Sequence, residues 1–226
     1  MSALFVAGTG TDIGKTHVAA GLTRALRARG VDAMPLKPVV SGYDEAHARD
    51  SDSGVLLTAA GRAIDAESIA AVSPWRFSPP LSPDMAARQE GRELRLADVA
   101  AFCHAEIVRH TGPMIIEGVG GAMSPIAEDG TCLDLARALG CPSLLVCGTY
   151  LGTISHTLTA AEAMAGRDIV LTAVVVNETP GGQEPSAVID ALRRFLPSRK
   201  LIALWRGPPR PEAFDEIVRA CGLAAR

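Results

Sequence analysis

Along the chain, short runs of consecutive apolar residues alternate with longer stretches in which apolar positions recur every three to four residues. This is the pattern of βα units feeding a mostly parallel sheet flanked by helices on both faces, an α/β fold. It predicts strands at Ala3 to Ala7, Asp32 to Lys37, Met114 to Glu117, Ser143 to Cys147, Val170 to Val176 and Lys200 to Leu204. Helices are expected at Lys15 to Arg29, Asp52 to Ala60, Leu96 to Arg109, Asp134 to Leu139, Ser155 to Ala165, Ser186 to Phe195 and Glu212 to Cys221. Gly30, Gly140, Gly166 and Gly222 stand just past four of these and suit the left-handed position that closes a helix. The run from Val170 to Val176 is apolar at successive positions, as in a strand covered on both faces, and reads as the central strand of the sheet. From Val72 to Pro83, with prolines at 74, 79, 80 and 83, the pattern is irregular. This stretch reads as a lid or interface segment lying over a surface, without a domain boundary or an internal repeat.

Composition narrows the classes. A length of 226 residues fits one compact domain over 1–226, and 48% hydrophobic against 21% charged residues is ample for a buried core. The net charge of −3 and an aromatic content of 4% argue against a nucleic-acid partner, which calls for a basic footprint or stacking platforms. Five cysteines (103, 132, 141, 147 and 221) show neither a disulfide framework nor zinc-ligand spacing, so a reducing cytoplasm is the expected setting. The N-terminus has no basic leader or cleavage site, and no apolar run reaches about 18 residues, so neither export nor membrane spanning is expected.

The strongest chemical signal follows the first strand. Gly8-Thr9-Gly10-Thr11-Asp12-Ile13-Gly14-Lys15-Thr16 ends in Gly-Lys-Thr where strand becomes helix. Small residues let backbone N–H groups face phosphates, the helix start adds its dipole, Lys15 supplies a point charge, and Thr16 offers a hydroxyl to magnesium. Thr9 occupies the usual first-glycine position and Gly8 lies one residue further back, so the loop is one residue longer than the common form.

Two other strands end in candidate groups at the same rim. Met114-Ile115-Ile116 leads into Glu117-Gly118-Val119-Gly120-Gly121, a carboxylate at the carboxyl edge where α/β ligands bind. That acid either holds magnesium or caps a turn. Lys37-Pro38-Val39-Val40-Ser41-Gly42 adds a second lysine and a hydroxyl; a lone Lys-Pro says little, but beside a phosphate loop it suggests a cation facing the substrate.

These segments, with Ser51-Asp52 and Leu151-Gly152-Thr153-Ile154-Ser155-His156, occur in the order and approximate spacing of dethiobiotin synthetases, and the resemblance covers nearly the whole chain. It implies an ATP- and magnesium-dependent ligase of biotin biosynthesis on a P-loop NTPase-like fold. Such an enzyme works as a homodimer and closes a ureido ring on 7,8-diaminononanoate with carbon dioxide. Carried onto this sequence, the resemblance implies Lys15 and Lys37 as catalytic residues and Thr16, Asp52 and Glu117 as magnesium ligands. It implies ATP contacts from Asp12, Ile13, Gly14, Lys15, Thr16, His17, Asp52, Glu117, Gly118, Val119 and Gly120. Further ATP contacts come from Asn177, Glu178, Arg206, Gly207 and Pro208, with Asn177 recognising adenine. Ser41 would contact the substrate, as would Leu151, Gly152 and Ser155, which in the family reach it from the partner subunit. The chain departs from the family at Gly10, where many members have Asp, at Val119, where they have Ala, and around Ile202-Ala203-Leu204-Trp205-Arg206, where a Leu-Gly-x-Ile-Pro-like pattern is usual. Trp205 reads as a packing residue.

The residue types suit the implied chemistry. A carbamate that attacks a γ-phosphate needs its charge neutralised more than it needs acid–base groups, and the chain offers lysines and oxygen ligands without a Ser/His/Asp constellation. His156 reads as dimer or loop packing, and His104 and His110 as helix surface. Two other classes use similar loops. Partition or division-site ATPase switches carry an extra lysine near the start of the loop, which Thr9-Gly10-Thr11 lacks, and cobyrinate-type amide ligases usually append an amidotransferase domain, for which this chain has no room.

Overall fold

The computed structural model describes residues 3–207 and 211–223. Six parallel strands form the main sheet: β1 (Ala3–Gly8), β2 (Met34–Leu36), β5 (Met114–Glu117), β8 (Ser143–Cys147), β9 (Leu171–Asn177) and β10 (Lys200–Leu204), in the spatial order β10-β9-β8-β1-β5-β2. Its register is set by alternation, because successive side chains of each strand enter different cores. Leu4, Val6, Ile115, Leu144, Val146, Ala173 and Val175 face α1 (Lys15–Arg27), α2 (Asp52–Ala59) and α9 (Pro211–Ala220). Phe5, Ala7, Met114, Ile116, Leu145, Val174 and Val176 face α5 (Leu96–Arg109), α6 (Cys132–Leu139), α7 (Thr153–Ala165) and α8 (Pro185–Arg193). The α/β class and the two-faced sheet are therefore as the hydrophobic pattern predicts.

Three expectations change. The strand 171–177 is buried on both faces but stands next to last, between β8 and β10; the central pair is β8 and β1. Coverage on both faces requires helices on each side of a strand, which a penultimate strand has as fully as a central one. Gly166 does not close α7 in the left-handed region: its φ is −65°, and Asp168, at φ 57°, makes that turn two residues later. The stretch from Val72 to Pro83 is not irregular throughout. Trp75–Phe77 forms a short strand, β4, paired in parallel with β3 (Val39–Ser41), and it lies between α3 (Ala66–Val72) and α4 (Pro83–Gln89). Backbone bonds from Gly42 to Pro79 (3.0 Å) and from Tyr43 to Phe77 (2.9 Å) extend this small sheet and bring Pro80 to Pro83 over the rim of the main one. A short hairpin, β6 (Pro125–Ala127) with β7 (Gly130–Thr131), completes the elements.

β1 lies where the chain changes direction across the sheet, with β5 on one side and β8 on the other. The carboxyl ends of the strands at such a switch point form the crevice in which α/β folds hold ligands.

Candidate active site

The loop between β1 and α1 is shaped by two close approaches. Gly8 lies against the Lys15 side chain, and a Cβ there would sit 2.7 Å from Lys15 Cδ. Gly14 caps α1 at φ 94°, and a Cβ on it would stand 2.1 Å from Asn177 Nδ2. That amide donates to the Ile13 carbonyl at 2.9 Å, so the end of β9 pins the loop from outside. Replacing Gly14 by alanine should force the loop off Asn177 and impose a backbone that L residues adopt at a cost. We expect at least a tenfold weaker grip on a fluorescent ATP analogue while the far-ultraviolet circular dichroism stays unchanged.

Beneath the loop, four side chains from separate elements meet. Ser51 caps α2 by accepting from the Gly54 N–H at 3.2 Å, which makes Asp52 the first helical residue, where a carboxylate is favoured by the helix dipole. Glu117 ends β5, Lys37 follows β2, and Thr16 opens α1. Lys37 Nζ lies 2.5 Å from Glu117 Oε1 and 2.8 Å from Asp52 Oδ2, while the Thr16 hydroxyl lies 2.8 Å from both Asp52 Oδ1 and Glu117 Oε1. Lys37 is 3% exposed and the Glu117 side chain 0%. Burial works against the Lys37 charge, but the Glu117 and Asp52 carboxylates outweigh it and hold the ammonium above the ordinary lysine value. Burial also opposes the Asp52 charge, yet Lys37 and the Thr16 hydrogen bond keep that carboxyl below its usual range. For Glu117 burial prevails and pushes the carboxyl up although Lys37 opposes it. Lys15 donates to the Gly10 carbonyl at 2.7 Å, and burial, then the nearby Lys37 charge, lower its affinity for its proton. Ion pairs this deeply buried are costly to assemble for stability alone, so the arrangement points to charge chemistry at this place.

Two cavities open on either side of the loop. One, of about 600 Å³, is lined by Asp12, Gly14, Lys15, Thr16, Lys37, Ser41, Asp52, Glu117, Val119 and Gly120, together with Pro80 to Pro83. The structure thus gathers most of the residues expected near the phosphates, and it adds the proline-rich segment as a wall. The other cavity, of about 710 Å³, is lined by Asp12, Ile13, Gly14, His17, Asn177, Glu178, Arg206 and Gly207. Trp205 also lines it, as does Phe214 of α9, whose ring meets His17 edge-on with centroids 5.7 Å apart. Phe214 carries no sequence signal for a site: its place in an amphipathic helix marks it as core, and only the packing of α9 on α1 turns it toward the cavity. Pro208 lies outside the described residues. Gly118 lines neither cavity; it lies against Phe5 and Cys132. Nor do Leu151, Gly152 and Ser155, which sit past β8 at the start of α7, with Leu151 94% exposed. The Tyr150 hydroxyl and His156 Nδ1 stand 2.8 Å apart there, so His156 braces its own loop.

Comparison with known proteins agrees with this geometry. The family described as AAA domain matches residues 2–204. The chain is 53% identical over 178 residues to the ATP-dependent dethiobiotin synthetase BioD of Acidiphilium cryptum, covering 78% of this chain and 80% of that protein. With the protein of the same name from Methylobacterium nodulans it shares 47% over 223 residues, 96% and 99% of the two chains. Among solved structures, the hydrogenase maturation factor HypB of Archaeoglobus fulgidus superposes with a TM-score of 0.55 at 13% identity, covering 96% of this chain and 86% of that one. The MinC:MinD cell division protein complex of Aquifex aeolicus superposes with a TM-score of 0.54 at 10% identity, covering 95% and 85%. At such low identity these two likenesses establish the fold and nothing of the activity. No described helix is long and apolar enough to cross a membrane. The glycine-rich loop, the buried acids and lysines behind it, and 47% identity over nearly the full length lead to one assignment: the chain belongs to the dethiobiotin synthetase family.

Proposed function

We propose that this chain uses ATP to close a ureido ring on 7,8-diaminononanoate with carbon dioxide, giving dethiobiotin, in the cytoplasm. The observation that carries the reading is the convergence of Lys15, Thr16, Lys37, Asp52 and Glu117 on one cavity beside the phosphate loop. One substrate amine adds to carbon dioxide and loses a proton to give a carbamate. A carbamate oxygen attacks the γ-phosphorus, the bond to ADP breaks, and a carbamic–phosphoric anhydride results. The second amine then attacks the carbamoyl carbon, its nitrogen gives up a proton, and phosphate departs carrying the bonding electrons. Phosphoryl transfer and the departure of phosphate both move negative charge among phosphoryl oxygens, and Lys15 and Lys37 supply fixed positive charge in a poorly solvated pocket, where it counts most. Ser41, on the same wall, would hold the diamine chain, and Asn177 with Glu178 would meet the base in the second cavity.

The residues present fit magnesium. Glu117 Oε2 is buried without a hydrogen-bond partner, and one hydroxyl with two carboxylates is a hard oxygen set that leaves room for water and phosphate. Thr16, Asp52 and Glu117 would hold the ion, which when bound supplies positive charge to the phosphate oxygens. Leu151, Gly152 and Ser155 line neither cavity of their own chain, which supports a homodimer in which they complete the partner's site. The test is direct. The chain, incubated with 7,8-diaminononanoate, bicarbonate, magnesium and each nucleoside triphosphate in turn, should yield the cyclic urea by mass spectrometry with ATP, and none when the diamine or bicarbonate is omitted. Absence of the urea with every nucleotide would overturn the reading.

A further inference from the structure

The oxygens that would hold a divalent cation are already engaged by a cation of the chain itself. Lys37 Nζ reaches Glu117 Oε1 at 2.5 Å and Asp52 Oδ2 at 2.8 Å, and Thr16 Oγ1 spans Asp52 Oδ1 and Glu117 Oε1. Of the four carboxylate oxygens, Glu117 Oε2 alone has no partner among the described residues. Two acids also face two buried lysines, Lys37 in contact and Lys15 nearby. A magnesium ion gives up its water reluctantly and would gain one unengaged oxygen here unless Lys37 withdrew. Lys37, buried at 3% exposure, would need another anion in reach before leaving both acids. A triphosphate on the neighbouring loop offers both: oxygens for the cation and negative charge for the lysine.

We propose that Lys37 is an internal competitor of the divalent cation, held by Asp52 and Glu117 until nucleotide arrives and then exchanged for the cation, so that loading the metal delivers the ammonium to the transferring phosphoryl group. This inference rests on the reading of Thr16, Asp52 and Glu117 as cation ligands. It predicts that the acids are masked in the nucleotide-free protein by Lys37 and not by weak intrinsic affinity.

The experiment titrates Mn²⁺ into the full chain at pH 8 without nucleotide, following the free ion by electron paramagnetic resonance. Lys37→Met should bind one Mn²⁺ at least tenfold more tightly than the unmodified protein. Lys37→Arg, which keeps the charge, should not gain, and Asp52→Asn added to Lys37→Met should abolish the gain. Equal affinity in Lys37→Met and the unmodified protein would overturn the proposal, as would a gain that survives Asp52→Asn. If Lys37→Met does not fold, the ¹⁵N ammonium resonance of Lys37 decides, assigned by its loss in Lys37→Arg. It should move on adding magnesium with a non-hydrolysable ATP analogue but not with magnesium alone, and a resonance indifferent to both refutes the exchange. A separate titration with the ATP analogue present distinguishes the two levels. If Asp52→Asn leaves Mn²⁺ affinity unchanged there, the ligand reading itself fails; if it weakens binding while Lys37→Met shows no gain, only the exchange fails.

Discussion

Lys37→Ala should lower turnover about a hundred- to a thousandfold, because removing one preorganised group aimed at developing charge costs about 3–4 kcal/mol of transition-state stabilisation. Lys15→Ala should do the same from the other side of the transferring group. The two variants will differ in stability. Lys15 donates to a loop carbonyl, whereas Lys37 is the buried partner of Glu117, and stripping one member from a buried ion pair costs about 3–5 kcal/mol unless the survivor takes up a proton. Glu117 is already pushed toward the protonated form by burial, which softens that penalty. Turnover should therefore be measured at saturating ATP and diamine, beside a urea denaturation curve for each variant. A fall in kcat at a temperature where Lys37→Ala is fully folded identifies loss of charge at the reacting group; near-normal kcat would remove Lys37 from the catalytic machinery and leave it a structural partner of the two acids.

How far the sequence reveals this site depends on the range of each contact. Gly14, Lys15 and Thr16 are legible because their geometry is local: a strand, a glycine at φ 94° and a helix start follow one another within a few residues. Lys37 and Glu117 are legible as strand-end residues, since β2 and β5 both end at the same rim and are neighbours in the sheet. That they touch, and that both lysines are buried, is not visible from either segment, because the contact spans 80 residues of chain. The same limit hides β3 and β4, whose three-residue strands pair across more than thirty positions and carry too few residues to show alternation. The position of strand 171–177 is hidden for a different reason: burial on two faces records which helices cover a strand, not how many strands lie beyond it.

Mixed dimers should recover activity that neither parent has. The start of α7 exposes Leu151 and lines neither of the two cavities beside the loop of its own chain, while backbone N–H groups at a helix start attract a carboxylate such as the one at the far end of the diamine's apolar chain. If that segment serves the partner, each site takes its phosphate loop from one chain and its carboxylate anchor from the other. Lys15→Ala disables the first contribution. Gly152→Leu disables the second, because Gly152 sits at φ 96°, where a side chain strains the backbone at the helix start. In a heterodimer of the two variants, one site collects both defects and the other collects neither. Random exchange makes half of the dimers mixed, with one intact site in each, so the mixture should regain roughly a quarter of the unmodified activity under two-fold symmetry. A site contained within one chain predicts no recovery at all, since every site would then carry one lesion. Subunit exchange is verified by native mass spectrometry of the mixture, and an exchanged but inactive mixture would refute the shared site.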